Sequence, residues 1–171
     1  NTVGNRLEGC LPLPKLMWLR EHESETYARI RHVLISSKDY LIAQLTGECV
    51  GDVAACSTAG AMNIRNGQWD AELCEAAGID MTMLPHLHNP QDNIGAVTES
   101  AAQRTGFFAG TAVYAGIGDA GATTLASGVS HPCQYNINIG TSGWIATVSP
   151  EPFTDKPGAA NLAFGVEEGL V

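Results

Sequence analysis

The sequence predicts a mixed α/β chain, on three observations. Helices marked by polar starts and glycine stops fill the earlier part of the chain. A short apolar strand, a glycine turn and a small-residue helix follow at 112–127. A stretch without Asp, Glu, Lys or Arg, residues 120–150, then holds two strands around Gly140-Thr141-Ser142-Gly143.

Residues 1–13 read as a loop rich in Gly and Pro. Pro14 suits the first turn of a helix, where its missing N–H has no partner to lose. Leu16, Trp18, Leu19 and Tyr27 supply an apolar stripe to about Ile30. His32-Val33-Leu34-Ile35 predicts a short buried strand. Ser36 precedes Asp39 by three, a capping arrangement with Asp in place of Glu. The helix 38–45 carries Leu41 and Leu45 four apart, and Gly47 stops it. Residues 51–61 are small and polar, and Asn66-Gly67 signals a turn. Asp70 caps a helix closing at Gly78, residues 83–93 form a loop with Pro and His, and Thr98 caps a helix ending at Gly106. Ala112-Val113-Tyr114-Ala115 predicts a short buried strand, running into Gly116-Ile117-Gly118-Asp119-Ala120-Gly121 and a helix at 122–127. After His131-Pro132, residues 134–139 and 144–149 read as two strands. No internal repeat is visible, and the change of pattern puts a domain boundary near His131.

Composition narrows the classes. With 171 residues, 44% of them apolar and 16% charged, the chain suits one packed domain or parts of two. A formal charge of −9 argues against a nucleic-acid partner, because phosphate contacts need a basic surface. The glycines, Asn136, Asn138 and Pro132 make the uncharged stretch unfit to span a membrane; central sheet and ligand-facing turns explain it better. Five cysteines at irregular spacings, without a CxxC pair, read as reduced, buried thiols in a cytoplasmic protein. His86 and His88 lack structural-zinc spacing, so no metal-ligating residue is assigned.

The glycine turn admits three readings. Gly116, Gly118 and Gly121 spell G-x-G-x-x-G between a strand and a helix, as in a dinucleotide-binding oxidoreductase. Against that, the ribose-binding acid expected about 20 positions on is missing, and Asp119 would face a pyrophosphate with no cation. Asp119 also reads as an ordinary helix N-cap. The third reading makes it a base: a carboxylate at a sheet edge, held charged by the helix dipole, accepts the proton of an attacking hydroxyl. Gly140-Thr141-Ser142-Gly143 presents backbone N–H groups that suit terminal phosphates, although a plain hairpin turn needs no ligand.

Six segments in order carry a resemblance: Pro14-Lys15-Leu16-Met17-Trp18-Leu19; Lys38-Asp39-Tyr40-Leu41 with Leu45-Thr46-Gly47; Asp52 with Ala55, Ser57 and Thr58; Trp69-Asp70 with Leu84-Pro85; Gly116-x-Gly118-Asp119; and Gly140-Thr141-Ser142. The chain resembles the FGGY carbohydrate kinases. The resemblance implies part of a two-domain actin-like (ribonuclease H-like) fold: residues 1–130 as the latter part of the sugar-binding first domain, and 131–171 as the opening strands of the ATP-binding second. It implies Asp119 as catalytic base, Gly118, Asp119 and Ala120 at the sugar, and Gly140, Thr141 and Ser142 at the ATP phosphates, with Mg²⁺ as the metal. Ala120 stands where some members carry a polar side chain. The implied activity is transfer of the ATP γ-phosphate to a small sugar or polyol, xylulose- or gluconate-like. Motifs expected on either side are missing, so the chain reads as an excerpt of a longer enzyme, inactive alone. A non-catalytic sugar- or nucleotide-sensing module is the rival reading, and a homodimer stays open.

Overall fold

The computed structural model describes residues 2–141, 143–154 and 158–166. Helix α1 (Pro12–His22) opens before the expected Pro14, because both prolines fit in a first turn that needs no N–H there. Leu13 and Leu16 face the core. Trp18, expected in the apolar stripe, is exposed and stacks on His22 with ring centroids 4.8 Å apart. The helix does not reach Ile30. Glu23 leaves helical geometry at φ −131° and ψ 50°, and α2 (Ser24–Tyr27) is a separate turn.

His32-Val33-Leu34-Ile35 is not a strand. Its backbone is held by the Val33 N–H donating to the Met83 carbonyl at 2.8 Å, while Val33 and Ile35 pack against two core clusters. A short apolar run serves core packing as readily as a ladder, and periodicity cannot separate the two. The next segment follows its local signals. The Ser36 N–H donates to Asp39 Oδ2 at 3.0 Å, α3 (Ser37–Thr46) follows, and Gly47 ends it at φ +86°.

The small-residue stretch contains β1 (Val50–Asp52) and α4 (Val53–Cys56). Then β2 (Met62–Asn63) and β3 (Gln68–Trp69) form a hairpin around Asn66-Gly67. Helix α5 (Ala71–Ala77) is capped by Asp70 Oδ1, which accepts the Leu73 N–H at 2.8 Å, and closes at Gly78. The expected loop at 83–93 holds β4 (His86–His88), parallel to β1, with Val50 opposite His86 and Asp52 opposite His88. Strand β5 (Asn93–Ala96) precedes α6 (Glu99–Thr105), capped by Thr98 and stopped at Gly106. Strand β6 (Ala112–Tyr114) pairs antiparallel with β5; contrary to expectation it is largely exposed, and the buried residue is Ala115 just beyond it. Helix α7 (Asp119–Ala126) starts at the aspartate rather than at residue 122. Strands β7 (Tyr135–Ile139) and β8 (Gly143–Thr147) form the expected hairpin, Ile139 opposite Gly143. This is no central sheet among the described residues: Tyr135, Ile137, Ile139 and Ile145 stay exposed on one face.

One core cluster joins Leu13, Leu16, Cys74, Ala77, Ile79 and Leu84; a second joins Cys56, Met62, Ile64 and Ala163. Trp69 packs against both and donates its Nε1–H to the Pro85 carbonyl at 2.8 Å. The late segment around Asn161 is stitched onto the start of the chain: the Asn161 N–H donates to Asn5 Oδ1, and Asn5 Nδ2 donates to the Asn161 carbonyl, both at 2.7 Å. Only two of the five thiols, Cys56 and Cys74, are buried. Cys10 and Cys133 are exposed and Cys49 is intermediate, so the expectation of buried thiols fails for the loop cysteines. Loop ends offer no core to enter.

Candidate active site

The turn before α7 is built by position-specific glycines. The Ala115 N–H donates to the Asp92 carbonyl at 3.0 Å and the Gly116 N–H to the Pro90 carbonyl at 2.9 Å, which fixes where β6 ends. Gly116 then takes φ +65°, a conformation that L side chains rarely adopt. Gly118, extended at φ −60° and ψ 159°, is the N-cap. Asp119 is therefore the first helical residue and not the cap, which removes the reading of this carboxylate as an ordinary N-cap. Its side chain is exposed and free to meet a ligand.

Asp119 lines a cleft of about 680 Å³ with Ile117, Gly118, Ala120 and Gly121. The opposite walls come from the start of α3 (Ser36, Ser37, Lys38) and from α4 and its end (Ala54, Ala55, Thr58). The expected substrate residues Gly118, Asp119 and Ala120 thus share one surface. Gly140 and Thr141 sit exposed in the β7–β8 turn and are not among the residues lining this cleft; Ser142 lies outside the described residues. A second cavity of about 540 Å³ adjoins it through Ala54, Ala120, Gly121 and Leu162, and reaches the hairpin at Gly143 and Trp144.

Beneath the cleft lies a charged cluster to which the sequence reasoning assigned no site role. Lys38 Nζ is 2.6 Å from Asp39 Oδ1 and 2.7 Å from Asp52 Oδ2, and both carboxylates are fully buried. Asp52 Oδ1 also accepts the Ala54 and Ala55 N–H groups, each at 3.0 Å, and so caps α4. Asp52 Oδ2 finds no hydrogen bond of good angle, so its approach to the ammonium is what offsets its burial. Burial opposes the charge on Lys38, but its hydrogen bond to Asp39 and the close negative charges of Asp39 and Asp52 outweigh that, raising its pKa. The neighbouring Cys56 thiol is pushed up by burial, reinforced by the charges of Asp39 and Asp52. Asp39 was legible as a cap residue. The pairing with Asp52 had no local signature, because it joins two elements across the fold.

The glycine pattern does not sit in a parallel βαβ crossover. Strand β6 pairs antiparallel with β5, and α7 leads into an antiparallel hairpin, whereas the dinucleotide fingerprint needs the parallel unit. Residues 1–126 match the FGGY family of carbohydrate kinases, N-terminal domain. The chain belongs to that family. Among curated FGGY-like relatives it is 36% identical over 140 residues to a probable L-xylulose kinase of Pasteurella multocida, covering 81% of this chain and 29% of that protein. It is 32% identical over 145 residues to a xylulose kinase of Lactococcus lactis, covering 85% of this chain and 28% of that one. The crystal structure of xylulose kinase from Rhodospirillum rubrum superposes with a TM-score of 0.83 at 32% identity, over 90% of this chain and 31% of that chain. The chain thus spans under a third of the length of these relatives.

Proposed function

We propose that the full-length protein is an ATP-dependent kinase of a small sugar or polyol, xylulose- or gluconate-like, with Asp119 as general base. The observation that carries this reading is an exposed carboxylate at the first position of α7, opening into a cleft, in a chain of the FGGY family. The sugar hydroxyl gives its proton to Asp119, and its oxygen forms a bond to the γ-phosphorus. The bond from that phosphorus to the β–γ bridging oxygen breaks, and ADP leaves. Gly118 and Ala120 flank the base at the sugar, while Gly140 and Thr141, with Ser142, hold the terminal phosphates through backbone N–H groups. The names of the relatives support xylulose as the first sugar to test.

In this reading residues 1–130 belong to the sugar-binding domain and 131–171 open the ATP-binding domain of an actin-like fold, in a cytoplasmic enzyme. No helix among the described residues is long and apolar enough to cross a membrane. Mg²⁺ has no protein cage here: no group of three or more His, Cys, Asp or Glu gathers among the described residues, and the Asp39–Asp52 pair already holds Lys38.

The test is Asp119→Asn in the full-length protein, assayed for phosphorylated product with ATP and a panel of D-xylulose, L-xylulose, D-gluconate and glycerol. Turnover should fall roughly 100- to 10,000-fold with ATP binding retained. Unchanged turnover removes the role given to Asp119. A native protein that binds sugar and forms no phosphorylated product would be a sensing module.

A further inference from the structure

Among the described residues lining the Asp119 cleft, only two carry charge: Asp119 itself and Lys38 on the opposite wall. Lys38 is built differently from a surface lysine. An ammonium has three N–H groups; one is donated to Asp39 Oδ1 at 2.6 Å, Asp52 Oδ2 lies 2.7 Å from the nitrogen as an ion pair, and the side chain is 24% exposed. Its stem passes over Gly116, where a Cβ would lie 3.8 Å from Lys38 Cδ. The head group is therefore held between the two buried carboxylates.

The two carboxylates have a second consequence. They leave the cluster with one negative charge in excess, so Lys38 is no free cation for a phosphate or carboxylate. What it can offer the cleft is an N–H not taken by Asp39, on a head group that the two carboxylates hold in place. Ser36 lines the same wall, with its Oγ buried at the capping box that opens α3. A cleft with a fixed donor on one wall and an exposed acceptor, Asp119, on the other matches a polyol, whose neighbouring hydroxyls both accept and donate.

We propose that Lys38 is a substrate-contacting specificity residue, donating an N–H not taken by Asp39 to a hydroxyl oxygen of the sugar other than the one that attacks phosphorus. The assignment rests on the kinase reading above. It separates the two charged residues by role: Asp119 takes the proton of the reacting hydroxyl, and Lys38 selects and holds a neighbour. Loss of Lys38 should thus act on sugar binding, and loss of Asp119 on turnover.

The test uses the full-length protein and whichever sugar of the panel (D-xylulose, L-xylulose, D-gluconate, glycerol) it phosphorylates, with monodeoxy analogues of that sugar. Lys38→Met alone leaves two buried carboxylates without a cation, so the working variant is Lys38→Met/Asp52→Asn, which keeps the net charge of the cluster. Its sugar KM should rise roughly 10- to 100-fold, the size of a lost hydrogen bond to a charged donor, with the ATP KM unchanged. One monodeoxy analogue, bound weakly by the native protein, should bind the variant about as well as the parent sugar does. Lys38→Arg, which keeps a cation for both carboxylates, should fold and also raise the sugar KM. A folded variant with native sugar KM and native discrimination among the analogues overturns the assignment. So does a loss confined to kcat, or Lys38→Arg at native values if the double variant does not fold. No phosphorylation of any panel sugar by the native protein defeats the kinase reading, and this inference with it. Native turnover in Asp119→Asn beside a raised KM in the Lys38 variants would defeat the base and leave Lys38 standing.

Discussion

Replacing Lys38 by Met keeps the stem and removes the ammonium, which isolates the electrostatic role of this side chain. Breaking a buried ion pair costs about 3–5 kcal/mol, because the remaining charge has lost its partner in a poorly solvated place. Here two carboxylates lose their cation together, and neither has any exposed surface. Both keep backbone donors, the Ser36 N–H for Asp39 and the Ala54 and Ala55 N–H groups for Asp52. Lys38 is also a quarter exposed, which lowers the worth of the pairing. The lower end, about 3 kcal/mol, is the expected loss, a large part of the roughly 5–15 kcal/mol that holds a domain folded. Adding Asp52→Asn restores the original cluster charge by removing one of the two buried negative charges. The double variant should therefore be about 1–2 kcal/mol more stable than Lys38→Met, although Asp52→Asn alone costs about 1–2 kcal/mol by facing two donors together. Urea unfolding of the full-length protein, followed by tryptophan fluorescence, reads all three variants, and Trp69 reports from between two core clusters. Additive losses, or a loss under about 1 kcal/mol for Lys38→Met, would refute the reasoning.

Gly51→Ala places a Cβ 2.6 Å from Cys56 Sγ and 3.2 Å from Pro85 Cγ, so a loss of about 1–3 kcal/mol is expected; adding Cys56→Ala should return most of it in thermal melts. Gly121→Ala drives a methyl into Ile117, 2.7 Å from its Cγ1. Since Ile117 lines the cleft it can swing outward, and the Ala gain in helix propensity of about 1 kcal/mol offsets the crowding. The melting temperature should hardly move while the sugar KM rises, and Ile117→Ala in the same chain should restore the KM. The raised pKa values of Cys56 and Cys74 set a pH dependence. Above the usual thiol value of 9.0 the unfolded chain loses protons that the folded chain keeps, so stability is full below that pH and falls as pH rises. Urea midpoints between pH 7 and about 10 should show the fall, and Cys56→Ala/Cys74→Ala should flatten it. Lys38, also raised, adds a loss of the same sign at still higher pH.

What this sequence determined by itself is the part of the structure decided within a few residues along the chain. Asp70 and Thr98 start their helices because a short polar side chain accepts an N–H three positions on, and Asp39 reaches three positions back to the Ser36 N–H. Gly47, Gly78 and Gly106 end them because each takes a positive φ. The β7–β8 hairpin and the glycine turn before Asp119 were legible for the same reason. Tertiary structure decided what joins distant segments. It made a strand of His86–His88 by laying it parallel to Val50–Asp52, and it denied one to His32-Val33-Leu34-Ile35 by using Val33 and Ile35 as core. It also carried Asp52 to Lys38. No spacing rule predicts that contact, because the distance between two side chains on different elements is set by how the elements pack, and packing answers to the whole set of buried side chains at once.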